Sequence, residues 1–174
     1  MPKLCMWFYN PQADGSGIVN KLVSRLDPPY CHCELQFQDG AACSIYMGSK
    51  VAFKKRTFCT SNYDPIVIEC DKIAYENMRR TAQSIADREV EFSTIRMTAS
   101  LVWLPTALPS DMTFCSELCA DVLLSGGLLE PGIDTAKVTP SGLHRLVTAK
   151  VATAPEASSR PTRSVAIGFK SRDA

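Results

Sequence analysis

Met112-Thr113-Phe114-Cys115-Ser116-Glu117-Leu118-Cys119-Ala120-Asp121-Val122-Leu123 places a cysteine in the first turn of a short amphipathic helix. Pro109-Ser110-Asp111 blocks a helix from the left, Thr113 offers an N-cap hydroxyl, and Leu118, Val122 and Leu123 recur at helical spacing. Cys115 then falls near the second helical position. Unpaired backbone N–H groups and the positive end of the helix dipole favour a thiolate there. A cysteine in such a stretch is otherwise an ordinary small core hydrophobe. A catalytic role needs a base, and the base needs a polar group to hold its ring.

The chain has two histidines, and their settings differ. Tyr30-Cys31-His32-Cys33-Glu34-Leu35-Gln36-Phe37 alternates as a strand, with Cys31, Cys33, Leu35 and Phe37 on one face and His32, Glu34 and Gln36 on the other. Gln38-Asp39-Gly40 signals a hairpin, and Ala41 to Met47 returns as the partner strand. His144 belongs to a late segment expected at the surface, so His32 is the candidate base. Its orienting partner is either Ser44 on the returning strand or Glu34 on the same face; a carboxylate both orients and stabilises an imidazolium. Cys31, His32 and Cys33 could also be read with Cys115 and Cys119 as zinc ligands. Strand alternation turns the neighbours to opposite faces and no Cys-x-x-Cys spacing occurs, so no metal and no other cofactor is expected.

Working outward, Lys3 to Tyr9 reads as a buried strand, Asp14-Gly15-Ser16-Gly17 as a turn, and Ile18 to Leu26 as a helix stopped by Asp27-Pro28-Pro29. Val51 to Phe58 and Pro65 to Cys70 supply two more strands of an antiparallel meander, with Lys54-Lys55-Arg56 as a solvated edge. Asp71 is the expected N-cap of a helix through about Arg88, with Ala74, Met78, Ala82 and Ile85 facing the sheet. Ser93 to Pro109, broken by Pro105 and Pro109, reads as a loop with short structure that includes Trp103. Gly126-Gly127 ends the Cys115 helix, and Thr139 caps one further helical turn or two. The expected organisation is one domain over residues 1–152 and a disordered tail over 153–174, rich in Ala, Pro, Ser, Thr and Arg.

At 174 residues, 45% hydrophobic and 21% charged, the composition is that of a globular domain with a real core. Nineteen basic against 18 acidic residues leave a net charge of +1, which argues against nucleic acid or an anionic membrane as the main partner. The apolar run Leu4 to Tyr9 is too short for a secretory core or a membrane span, so a cytoplasmic location is expected. Eight cysteines in a chain of this size are expected to be reduced thiols.

The order of these pieces resembles the circularly permuted NlpC-type papain-like superfamily, in which the histidine strands precede the cysteine helix. The resemblance rests on His32 to Gly48, on Phe114-Cys115-Ser116-Glu117-Leu118, and on Val138-Thr139-Pro140-Ser141-Gly142-Leu143, and spans about residues 30 to 147. It implies an α+β papain-like fold with a small antiparallel sheet packed against the nucleophile helix. It also implies a cysteine hydrolase acting on an amide, peptide or thioester through an acyl-enzyme. Carried over by position, Cys115 is the nucleophile and its backbone N–H an oxyanion donor, His32 the base and Ser44 the third residue. Serine departs from the His, Glu, Asn or Gln common there, which leaves Glu34 open as its substitute. The expected partner is a peptide, protein or acyl substrate. The alternatives are a non-catalytic interaction protein on the same scaffold and a lipid acyltransferase or lipase of the same superfamily.

Overall fold

The computed structural model describes residues 1–11, 18–102 and 111–153. In chain order the elements are β1 (Lys3–Tyr9), α1 (Ile18–Leu26), β2 (His32–Phe37), β3 (Ala41–Ser44), β4 (Ala52–Lys55), β5 (Tyr63–Glu69), α2 (Lys72–Asp87) and β6 (Glu91–Phe92). They continue as α3 (Thr94–Leu101), β7 (Met112–Thr113), α4 (Cys115–Ser125), a 3-10 turn (Thr135–Lys137) and α5 (Pro140–Thr153). The result is a mixed α+β arrangement around a five-stranded antiparallel sheet of order β4-β3-β2-β1-β5.

The sheet is not the simple meander that strand order suggests. β5 does not follow β4; it pairs with β1, from Lys3↔Glu69 to Tyr9↔Tyr63. Burial explains the choice, because Leu4 to Phe8 of β1 are covered on both faces and need a neighbour on each side. β4 carries exposed Lys54 and Lys55 and suits one edge. β5, with Pro65 unable to donate to a further strand, suits the other. The strand returning from the hairpin is also shorter than its apolar run, ending at Ser44 rather than Met47.

One sheet face carries the main core. Leu4, Met6 and Phe8 of β1 and Cys33, Leu35 and Phe37 of β2 meet Ala74, Met78, Ala82 and Ile85 of α2 and Leu118, Val122 and Leu123 of α4. Asp71 caps α2 as its sequence indicates, accepting from Ala74 N at 2.8 Å. Truncating the fully buried Met78 to alanine would cost about 2–5 kcal/mol. Gly126 lets the end of α4 approach α2, since a Cβ there would stand 2.6 Å from Met78 Cγ. Gly127 takes a φ of 70° and closes the helix with Leu128 N bonded to Leu123 O and Gly127 N to Leu124 O.

The opposite face, expected to be polar, is buried as well. Glu34 and Gln36 are covered by a second cluster of Cys5, Trp7, Ala42 and Phe58. Trp7 Nε1 donates to Gln36 Oε1 at 3.0 Å, and Gln36 Nε2 donates to the Arg56 carbonyl at 2.7 Å, so the buried amide is satisfied. The segment after β6 forms a defined helix, α3, capped by Ser93 through Arg96 N at 3.1 Å. α5 is longer than the turn or two expected after Thr139, and the Thr139 hydroxyl accepts from Gly142 N at 3.1 Å. The turn at Asp14 to Gly17, the loop at Trp103, Pro105 and Pro109, and the tail from residue 154 lie outside the described residues.

Candidate functional site

The start of α4 differs from its sequence reading in one respect. Phe114, extended at φ −139° and ψ 171°, is the N-cap and makes no side-chain cap bond. Thr113 instead belongs to β7, and its hydroxyl lies 3.3 Å from Glu117 Oε2. Cys115 is therefore the first helical residue. Its turn is pinned on three sides: Phe114 is fully buried, Ser116 Oγ donates to Val138 O at 2.7 Å, and Arg96 Nε of α3 donates to Glu117 Oε2 at 3.0 Å. The Arg96–Glu117 ion pair is itself mostly buried, and a negative residue in the first turn suits the helix dipole.

α4 packs on β2, which brings the Cys115 sulfur to the beginning of that strand. The sulfur lies near enough to the Cys33 thiol and the His32 ring for both to bear on its charge, and it lines one cavity with the ring. The Cys33 thiol foremost, and then the positive ring, outweigh burial and hold the Cys115 thiol well below its ordinary pKa. The opposite balance is struck on the ring. Burial disfavours its charge, but the Cys115 sulfur and Glu34 together raise the His32 pKa to about 10. Thiolate and imidazolium thus stabilise each other across neutral pH.

Glu34 is the group that holds the ring. Its side chain is fully buried, and Oε1 lies 3.3 Å from His32 Nε2. The same oxygen accepts from Tyr46 OH at 2.5 Å and from Tyr63 OH at 3.3 Å. Arg56 Nη1 stands 3.2 Å from Oε2 as an ion pair, without the alignment of a hydrogen bond. Burial opposes the Glu34 charge, yet these partners, His32 foremost, keep the carboxyl below its usual pKa. The basic run is therefore only partly solvated: Lys54 and Lys55 are exposed, while Arg56 turns inward between the Tyr46 and Phe58 rings at 4.9 and 5.3 Å.

Ser44 is placed differently. It is buried, and continuing the Leu35↔Cys43 register by one pair sets it across from Glu34 rather than His32. No hydrogen bond joins Ser44 to His32 among the described residues. The same register carried further places Tyr46 across from His32, and the two rings stack at 4.8 Å. Tyr46 and Tyr63 went unnoticed in the sequence. Counting the hairpin register outward from Asp39-Gly40 is the one sequence signal that points to Tyr46.

Cys115 and His32 share the wall of a cavity of about 350 Å³, whose other lining includes Tyr9, Val23, Met47 and Met97. Cys115 is 4% exposed and the His32 side chain 13%, so both are reached only through this hollow. Larger hollows of about 470 and 600 Å³ lie elsewhere, against β5 and around α5, but neither holds a thiol or a histidine. Among the described residues no group of three His, Cys, Asp or Glu side chains gathers as metal ligands. No described helix is long and apolar enough to cross a membrane. No family model matches the chain, and no characterised protein or solved structure matches it either.

Proposed function

We propose that the chain is a cysteine-dependent hydrolase of amide, peptide or thioester bonds, on a fold of the permuted NlpC-type papain-like kind. The observation that carries this reading is that Cys115, at the first position of α4, and His32 line the wall of one cavity. The order of β2, β3 and α4 along the chain supports the permuted arrangement.

The Cys115 thiolate attacks the acyl carbon, and the carbonyl electron pair moves onto oxygen to give a tetrahedral intermediate. The Cys115 backbone N–H, at the head of α4, donates to that oxyanion. The intermediate collapses as the His32 imidazolium gives its proton to the leaving nitrogen or sulfur, which leaves a Cys115 thioester. Neutral His32 then takes a proton from a water that attacks the thioester, and the acid product departs with the thiolate restored. Glu34 keeps the ring in place and balances its charge in the protonated steps.

The test is the rate of Cys115 alkylation by iodoacetamide against pH, followed by peptide mass, in the parent protein and in His32→Ala. The thiolate persists until the pH falls through the lowered Cys115 pKa, so the parent rate should stay high across neutral pH and drop only in acid. His32→Ala removes the positive partner and should slow the reaction at pH 6.5 by at least about tenfold. The parent should also release a burst of nitrophenol from a small nitrophenyl ester. A Cys115 that stays inert until the protein unfolds would overturn the reading and favour an interaction protein on this scaffold.

A further inference from the structure

The fully buried carboxylate of Glu34 is served unequally at its two oxygens. Oε1 meets the His32 ring, Tyr46 OH and Tyr63 OH, whereas Oε2 has no hydrogen-bond partner and stands 3.2 Å from the guanidinium of Arg56. That guanidinium is built into its place. The Arg56 N–H donates to Gly40 O at 3.0 Å, and the Arg56 carbonyl accepts from Gln36 Nε2 at 2.7 Å. Its head lies against the Tyr46 and Phe58 rings, and Phe58 in turn stacks on Trp7 at 4.8 Å. The head is also partly exposed, so Arg56 keeps its own charge at little desolvation cost. A buried carboxylate with no counter-charge takes up a proton instead. Glu34 has two cations beside it while His32 is charged; once the ring is neutral, Arg56 is the cation still paired with it among the described residues.

We propose that Arg56 is a positioning residue that keeps Glu34 ionised and turned toward the ring whenever His32 is neutral. It acts through Glu34, and it is not among the described residues that line the cavity. The inference rests on the hydrolase reading for the moment at which the ring becomes neutral, and on the ion pair for the rest.

Acylation gives the His32 proton to the leaving group, so the ring is neutral in the acyl-enzyme. In deacylation the ring must take a proton from the water whose oxygen attacks the thioester carbon, and an ionised Glu34 balances the charge that the ring gains. Without the Arg56 charge, Glu34 takes a proton from solvent while the ring is neutral. A carboxylic acid cannot balance an imidazolium. Deacylation is therefore the step that Arg56 serves.

The experiment follows nitrophenol release from a small nitrophenyl ester by stopped flow, the burst reading acylation and the steady rate deacylation. Arg56→Met keeps an apolar stem between the two rings and drops the charge. It should slow the steady rate by at least about tenfold and the burst by less than about threefold. Arg56→Lys restores the charge and should recover most of the loss. In a Glu34→Gln background Arg56→Met should change neither rate by more than about twofold, because the residue through which Arg56 acts is gone. A second readout needs no turnover. With Cys115 alkylated, carbon-13 NMR of the Glu34 carboxyl should show its titration moved up by more than about one pH unit in Arg56→Met. Arg56→Gln replaces the methionine variant should the latter fail to fold. Equal slowing of both phases, no recovery with lysine, an undiminished effect in the Glu34→Gln background, or an unmoved carboxyl titration overturns the proposal while the parent's ester turnover leaves the hydrolase reading intact. A moved titration in a protein that never releases nitrophenol sustains the hold of Arg56 on Glu34 and overturns hydrolysis.

Discussion

The two histidines sit in settings that look alike in outline and behave in opposite ways. His32 stacks on Tyr46 with ring centroids 4.8 Å apart, and His144 lies tilted against Tyr30 at 4.7 Å. Each tyrosine gives its hydroxyl proton to a carboxylate, Tyr46 to Glu34 and Tyr30 to Asp64. Yet His32 is raised to about 10, while burial among Phe8 and Tyr30 pushes His144 below its ordinary value. Asp64 is exposed, and Tyr30 OH stands between it and the ring, which is 3.4 Å from that oxygen. His32 has the Cys115 sulfur foremost, and then a dry Glu34 that touches its ring directly. A histidine, a tyrosine and a carboxylate in sequence therefore do not make a charged ring. Direct contact with a desolvated anion does.

Glu34→Gln strikes hardest at this difference. It removes the charge that balances both His32 and Arg56, so the His32 pKa should fall from about 10 toward that of His144. The His32 ring titration, followed by proton NMR, should move down by more than about one pH unit. Breaking a buried ion pair costs about 3–5 kcal/mol, but Arg56 can turn its partly exposed head to water, which brings the expected loss nearer about 2 kcal/mol in urea unfolding. Glu34 is held below its ordinary pKa, so its contribution is present at neutral pH and fades as pH falls through the lowered value. The stability gap between parent and variant should accordingly narrow in acid. An unchanged ring titration would show that Cys115 alone charges the ring.

Tyr46→Phe sharpens the comparison with a smaller effect. The ring stack remains and only the hydroxyl that fixes Glu34 is lost, leaving Tyr63 OH at 3.3 Å as the phenol still bonded to that oxygen. Cys115 alkylation at neutral pH should slow by about threefold as the carboxylate and ring loosen. The His32 ring titration should stay within about half a pH unit, because Glu34 keeps its charge. A ring titration that fell as far as in Glu34→Gln would mean that the phenol, not the carboxylate alone, sustains the imidazolium.

Much of this site is local and was open to reading in the sequence. The alternation around His32, the Asp71 cap and the apolar spacing after Cys115 each depend on residues within a turn or a strand of one another. What escaped is non-local. Nothing in Lys54-Lys55-Arg56 reveals a carboxylate 22 positions earlier, and charge counting alone makes all three solvent-facing. The place of β5 depends on what β1 must bury, which emerges only once β2 covers its other edge. The meeting of Cys115 and His32 at one cavity likewise requires α4 to settle on β2, 83 residues away in sequence. Thr113 is the instructive local error. A hydroxyl two residues before a helix looks like a cap, but the pairing of β7 with β6 commits that residue to a strand and leaves Phe114 at the junction.

His144→Phe should produce the smallest change, and that makes it the control the comparison needs. The ring is half-buried against Phe8 and Tyr30, not on the open surface that its late position suggested, and burial already disfavours its charge. Phenylalanine keeps the aromatic contacts and forfeits one long bond to Tyr30 OH, so unfolding should shift by less than about 1 kcal/mol. The pH profile of Cys115 alkylation should superimpose on that of the parent. Were the profile to move, the Tyr30 and His32 settings would be coupled through Cys31, the one residue between them on the chain. The charge on His32 would then belong to a larger network than Glu34, Tyr46 and Cys115 provide.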